Sequence, residues 1–386
     1  MRIGIPRALM FYRYYPFLKT FVEGCGHEVV TSPPTDLGIL EKGTECCVDD
    51  ICVAVKAFFG HVDHLKDGVD ALLVPRLVSV EKRRYDTFTC PKLIAAPDMV
   101  RFFPHRPPLL LEWVLDVKRA PWWWGCLRLG GRLGATPCRV LGAYREARRE
   151  QARYEALLRG GSLPHEAIEE WESGPGEAAG ITRGAGPRRA AGETAATGAR
   201  EARGGNGGAG GNGGCLPPQA GQGKVAGDIT VAVLGHPYLL GDGMLNKNLF
   251  RWLRESGARV LTNSAFSDED LEREARLLPD ISWSFERELL AAASLFSRRC
   301  DVDGIIYLTS FGCGPDSLVM EMFRRETLPR DGKAFMEVVL DEHSAESGVR
   351  TRAEAFVDML RYRETKKAGG RLGAEAVARA RAGGRT

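Results

Sequence analysis

The residues of this chain best suited to chemistry are thiols set at turns. The stretch Ile305-Ile306-Tyr307-Leu308-Thr309-Ser310-Phe311-Gly312-Cys313-Gly314-Pro315-Asp316-Ser317 begins as an apolar run rich in β-branched and aromatic residues, the pattern of a buried strand. It breaks at Gly312, and Ser317 to Phe323 reads as a helix start. Cys313 therefore falls at a strand-to-helix turn with glycine on both sides, where the backbone takes unusual angles and another group can approach it closely. A helix N-terminus lowers a thiol pKa, because its free N–H groups favour the thiolate, and the thiolate is the form that binds metal. The competing reading is a small buried cysteine in a tight turn, and this stretch alone leaves the two open.

Three further thiols have a comparable setting. In the segment Glu45 to His61 the part after Asp50 is helical in pattern and ends at Gly60, with Asp49 and Asp50 as candidate N-caps. Cys52 then lies in the first turn and Cys47 on the loop before it. Thr89-Cys90-Pro91-Lys92 leads into Leu93-Ile94-Ala95-Ala96-Pro97-Asp98, read as a short strand with Cys90 at its entrance. Functional groups of open α/β sheets collect at the carboxyl ends of the strands, so two halves facing each other would bring these cysteines to the cleft between them. Four thiolates hold a [4Fe–4S] cluster or a structural zinc. Apolar, glycine-rich surroundings suit a cluster, whose sulfurs accept backbone N–H bonds; a larger or double cluster is a variant of the same reading. Cys46 reads equally as ligand or neighbour. Cys25, Cys126, Cys138 and Cys300 are expected as packing residues and Cys215 as incidental.

Other motifs carry less. Gly60-His61-Val62-Asp63-His64 reads more simply as a polar helix end than as a histidine site. Asp341-Glu342-His343-Ser344-Ala345-Glu346 ends a strand, where it either meets a ligand or caps the final helix. Gly241-Asp242-Gly243 is a loop without a phosphate-binding fingerprint, and neither a Walker A motif nor a G-x-G-x-x-G follows a strand. A thiol–disulfide enzyme is disfavoured, because the chain has no C-x-x-C pair.

The elements that must position these residues form an α/β pattern. Residues 2–9 start as a strand, Pro16 opens a helix through Phe17, Leu18, Phe21 and Val22, and His27 to Pro33 is a second strand. This β-α-β opening predicts a parallel sheet. Val69 to Arg76 is a further strand, whereas residues 104–172 are helix-rich, with Trp122-Trp123-Trp124 expected mainly to pack. Residues 173–227, rich in Gly, Ala, Arg and Pro, bury too little apolar surface to offset ordering entropy and read as a disordered linker. From Asp228 the opening pattern repeats: a strand from Ile229 to Pro237, a glycine-containing loop, a helix from about Asn246 to Gly257, and a strand from Ala258 to Asn263. The central strand 303–310 and the strand 334–343 follow, then a final helix from Arg352 to Arg363 and a flexible tail from Lys366. The expected fold is α/β: two similar Rossmann-like or flavodoxin-like halves with parallel sheets, spanning 1–172 and 228–365.

Composition narrows the function class. The chain has 386 residues, enough for two domains and a linker. A net charge of +3 gives no argument for nucleic acid. The N-terminus goes straight into a strand without the apolar core of a signal peptide, and no apolar run is long enough to cross a bilayer. Leu109 to Leu115 is too short and is interrupted by Glu112. Ten cysteines in a chain this long are too few for a disulfide scaffold, so the expected compartment is the reducing cytoplasm.

Four separated motifs in order carry a resemblance: Ile3-Gly4-Ile5-Pro6-Arg7-Ala8-Leu9; Cys47…Cys52-x-x-x-Lys56 with Gly60-His61; Phe311-Gly312-Cys313-Gly314-Pro315-Asp316; and Asp341 to Glu346 with Thr351-Arg352. Together they resemble the activase-related proteins of 2-hydroxyacyl-CoA dehydratases, the domain that also occurs in large CoA-enzyme activase fusions. The resemblance implies a relation to the dehydratase subunits, double α/β proteins with cysteine-bound iron–sulfur clusters that receive electrons from an ATP-driven activator. It implies Cys52, Cys90 and Cys313 as ligands with Cys47 as the fourth, and Lys56, Gly312, Gly314, Glu342 and His343 around them. An activase or dehydratase subunit is the implied partner, and an acyl-CoA the implied ligand of the same cleft. The actin-like ATPase module of the true activators is absent, so ATP hydrolysis is not implied. The resulting expectation is an iron–sulfur redox protein of the dehydratase/activase system. The rival is a non-catalytic binding or scaffolding module with zinc or no metal.

Overall fold

The computed structural model describes residues 1–81, 87–104, 108–174, 216, 228–328 and 332–382. Of the linker expected at 173–227, all but 173, 174 and 216 lies outside the described residues, as does Cys215.

The chain folds as two α/β halves, each built on a four-stranded parallel sheet. The first comprises β1 (Arg2–Ile5), α1 (Phe11–Gly24), β2 (Glu28–Thr31), α2 (Leu37–Glu45), α3 (Val53–Leu65), β3 (Ala71–Ser79), α4 (Pro91–Arg101), β4 (Leu109–Asp116), α5 (Trp122–Arg132), α6 (Pro137–Arg159) and α7 (Pro164–Glu172). The second comprises β5 (Ile229–Leu234), α8 (Pro237–Gly241), α9 (Leu249–Glu255), β6 (Ala258–Thr262), α10 (Asp268–Ala275), α11 (Ser284–Arg298), β7 (Gly304–Ser310), α12 (Gly314–Met322), β8 (Ala334–Leu340) and α13 (Glu346–Ala382). The strand orders are β2-β1-β3-β4 and β6-β5-β7-β8. With four strands per half, these are one topology used twice. All residues of β5 and β7 are buried, which is what helices on both faces of a parallel sheet require.

Four expectations are corrected. Leu93 to Asp98 is not a strand but part of α4, where Pro91 occupies the first turn and Cys90 the N-cap. A short apolar run does not tell a strand from a helix, and here proline at the start decides for the helix. The strand expected nowhere in 104–172 is β4, whose alternate residues Leu111, Trp113 and Leu115 are buried. Pro16 lies inside α1 rather than at its start. Its missing N–H leaves the Tyr12 carbonyl free, and the Tyr154 hydroxyl donates to that carbonyl at 2.5 Å. Finally, the closing helix starts at Glu346 and its backbone continues to Ala382. The tryptophans divide: Trp122 packs against Tyr14, Phe17 and Trp113, while Trp123 and Trp124 are exposed.

Polar contacts join the halves along the cleft. Arg13 of α1 donates both guanidinium arms to Glu288 of α11, at 2.7 and 3.1 Å. Thr35 donates to Asp242, and Arg254 to Glu166. Phe88 pairs with the chain at Trp283 through two backbone bonds, Phe88 N–H to Ser282 O at 2.8 Å and Ser284 N–H to Phe88 O at 2.9 Å. Gly241 packs against the Tyr12 ring so closely that a Cβ there would lie 2.4 Å from it.

Candidate functional site

Close helix packing sets the first thiol. Gly43 of α2 and Gly60 of α3 face each other: a Cβ on Gly43 would lie 1.8 Å from the Lys56 carbonyl, and one on Gly60 1.9 Å from the Ile39 carbonyl. The two glycines let the backbones of α2 and α3 touch, which fixes the start of α3. Cys52 is the N-cap of that helix, Cys90 the N-cap of α4, and Cys313 the N-cap of α12. None of the three side chains caps its own helix by a hydrogen bond.

All three cysteines line one cavity of about 360 Å³ between the halves. Leu9, Met10, Val55, Leu93 and Phe285 supply apolar wall, and His236, Tyr238 and Glu286 the polar groups. Three helix N-termini therefore converge on it, an arrangement that favours bound negative charge. The loops that carry the thiols are in contact. Gly312 has φ +75°, and a Cβ there would lie 3.0 Å from the Asp50 carbonyl and 3.6 Å from the Cys52 nitrogen. Lys92 donates to the Gly312 carbonyl at 3.2 Å.

The other expected residues take varied places. Cys47 is half-buried and does not line the cavity; burial, with the neighbouring Cys46, pushes its thiol up to about 12. Cys46 is also half-buried and off the cavity. Lys56 is 2 % exposed and donates to the Asp49 carbonyl at 2.8 Å and to Glu342. It ties the cysteine loop of the first half to the end of β8 in the second. Gly314 lines the cavity with nothing near its α-carbon side. His343 is exposed, 3.7 Å from Glu342. Cys25 and Cys126 are buried as expected, but Cys138 is exposed and Cys300 is disulfide-bonded.

The expected lowering of the Cys313 thiol pKa is reversed by its surroundings. Burial pushes it well up, and the Asp316 carboxylate adds to this, outweighing the Asp316 N–H that points at the sulfur. Cys90 is likewise raised, chiefly by burial. A metal cation would invert this balance, because it supplies the positive charge that keeps a thiol ionised.

A polar set behind Cys313 went unread in the sequence. His236 follows β5 as the N-cap of α8 and Glu286 sits in the first turn of α11; a ligand atom of each lies within 4.8 Å of the other and of the Cys313 sulfur. His236 is 3 % and Glu286 1 % exposed. His236 Nε2 stands 3.8 Å from Glu286 Oε1 and 3.9 Å from Asp316 Oδ2, beyond hydrogen-bond range. Asp316 is fully buried and accepts from the Tyr307 hydroxyl at 2.6 Å. Burial pushes the Glu286 carboxyl up, against the pull of His236. The available signals were a histidine at the carboxyl end of a strand and one acid beside Phe285 in the apolar face of α11.

The donor set fits a metal group: three thiols, an imidazole and a carboxylate around an apolar cavity, with polar atoms of His236, Glu286 and Asp316 that lack hydrogen-bond partners. No described helix is long and apolar enough to cross a membrane. No curated protein matches the chain. Residues 2–266 match a family model, a span that includes Cys52, Cys90 and His236 and stops before Glu286 and Cys313. The chain belongs to the family of the CoA enzyme activase uncharacterised domain.

Proposed function

We propose that the cavity holds a [4Fe–4S] cluster and that the protein is a one-electron redox component of the 2-hydroxyacyl-CoA dehydratase/activase system. The observation that carries this reading is the meeting of Cys52, Cys90 and Cys313, from three helix starts in both halves, on one apolar cavity. When bound, the cluster supplies single-electron chemistry, its potential set by charge, hydrogen bonding and solvent exposure. The residues do the rest. The three cysteines anchor the iron, and the helix N-termini offset the negative charge of thiolate-bound clusters. Leu9, Met10, Val55, Leu93 and Phe285 limit water access. Membership of the CoA enzyme activase family supports a dehydratase or activase partner, and the apolar wall supports an acyl-CoA ligand beside the cluster.

Zinc is the second reading, favoured by the His236–Glu286–Cys313 trio, whose mixed N, O and S donors are ones zinc accepts. Protein purified without oxygen separates the two. About four irons and four sulfides per chain, with visible absorption that bleaches on dithionite reduction, support the cluster. Stoichiometric zinc, or no metal, sinks it.

A further inference from the structure

We infer that His236 is the fourth protein ligand of the metal group, in place of a fourth cysteine; the inference rests on the cluster reading above. A thiolate-held cluster takes a ligand at each of four irons, and among the described residues the cavity offers thiols at three points: Cys52, Cys90 and Cys313. Cys47, the fourth thiol expected from the sequence, lies off the cavity beside Cys46. His236 and Glu286 each have an atom within 4.8 Å of the Cys313 sulfur.

The imidazole has the stronger claim of the two. It lines the cavity, is 3 % exposed, and neither ring nitrogen has a hydrogen-bond partner. A buried polar group left in that state is costly and requires an explanation. Its ring stacks on Tyr238, with centroids 5.2 Å apart and planes 21° apart, which holds its orientation. Imidazole is an accepted iron ligand, and it replaces thiolate in some iron–sulfur centres, where it raises the potential. The carboxylates of Glu286 and Asp316 stand 3.8 and 3.9 Å from Nε2, so a shift of under about 1 Å brings one of them into range to accept a hydrogen bond from the ring nitrogen that does not bind iron. Such carboxylate partners commonly orient metal-bound histidines.

Pulsed EPR of the dithionite-reduced, anaerobically purified full chain tests this directly. One preparation carries natural histidine and one carries ¹⁵N-histidine. The expected result is a strongly coupled nitrogen whose signal changes with the label. His236→Cys is expected to keep its iron, lose that coupling and shift the midpoint potential negative. Should that variant fail to fold, the wild-type labelling result decides alone. A four-iron cluster without a strongly coupled histidine nitrogen overturns the assignment of His236 and leaves the cluster reading standing. Absence of iron, or zinc in its place, overturns both.

Discussion

Replacing Gly312 with alanine tests how the two halves of the site are joined. Gly312 sits between β7 and the Cys313 N-cap with φ +75°. An L-residue in that left-handed region costs roughly 1–2 kcal/mol. The added Cβ also lies 3.0 Å from the Asp50 carbonyl, on the loop that carries Cys52. Backbone atoms there must give by a few tenths of an ångström, so the total cost is about 1–3 kcal/mol. At a urea m-value of about 3 kcal/mol/M, the unfolding midpoint falls by roughly 0.3–1 M. Gly314→Ala is the control two residues on, where a Cβ meets nothing within 4 Å. It lies in the first turn of α12, where alanine is the better helix former, so stability is expected to hold or rise. Urea denaturation followed by far-UV circular dichroism reads both variants. Equal midpoints for Gly312→Ala and wild type would refute the close approach of the two loops.

Three further perturbations probe the frame around the site. His61 is buried and hydrogen-bonded to Thr35, and burial, aided by Arg7 and His64, lowers its pKa to about 3. A depressed pKa means that the unfolded chain binds the proton first. The contribution of His61 to stability is therefore complete above about pH 6.5 and is lost as pH falls towards about 3. Urea midpoints across that range should decline, and His61→Gln should flatten the decline; an unchanged slope contradicts the assignment. Lys56→Met removes the donor to Asp49 and Glu342 and should cost about 2–4 kcal/mol, with a loss under about 0.5 kcal/mol in chemical denaturation counting against the pair. Tyr154→Phe orphans the Tyr12 carbonyl and should cost about 1–2 kcal/mol. In a Pro16→Ala background the helix N–H returns and the cost should shrink; additivity within about 0.5 kcal/mol in the double-mutant cycle would remove the explanation.

Much of this fold was legible because parallel sheets write themselves as apolar runs. The Ile305 to Ser310 run and the repeat of strand, helix and glycine stop from residue 229 both pointed to paired α/β halves. The segment Leu93–Asp98 misled because four apolar residues have no period, and the decisive cue was Pro91 after a cysteine. Strand β4 hid behind Glu112, which is paired with Arg76 and Arg101 at the sheet edge. At the site, the cysteines stood out by their turns. His236 and Glu286 did not, because their role depends on packing β5 against α11, and nothing local in either segment encodes that meeting. Cys47 shows the converse: spacing placed it beside Cys52, but the turn before α3 leaves it off the cavity.

The most direct test of the account is iron content after single serine substitutions in anaerobically purified protein. Cys52→Ser, Cys90→Ser and Cys313→Ser are each expected to lose most of the iron and the visible absorption, while Cys47→Ser keeps both. Iron retained in all three of the former, or lost as fully in Cys47→Ser, would contradict a cluster held at the cavity between the halves.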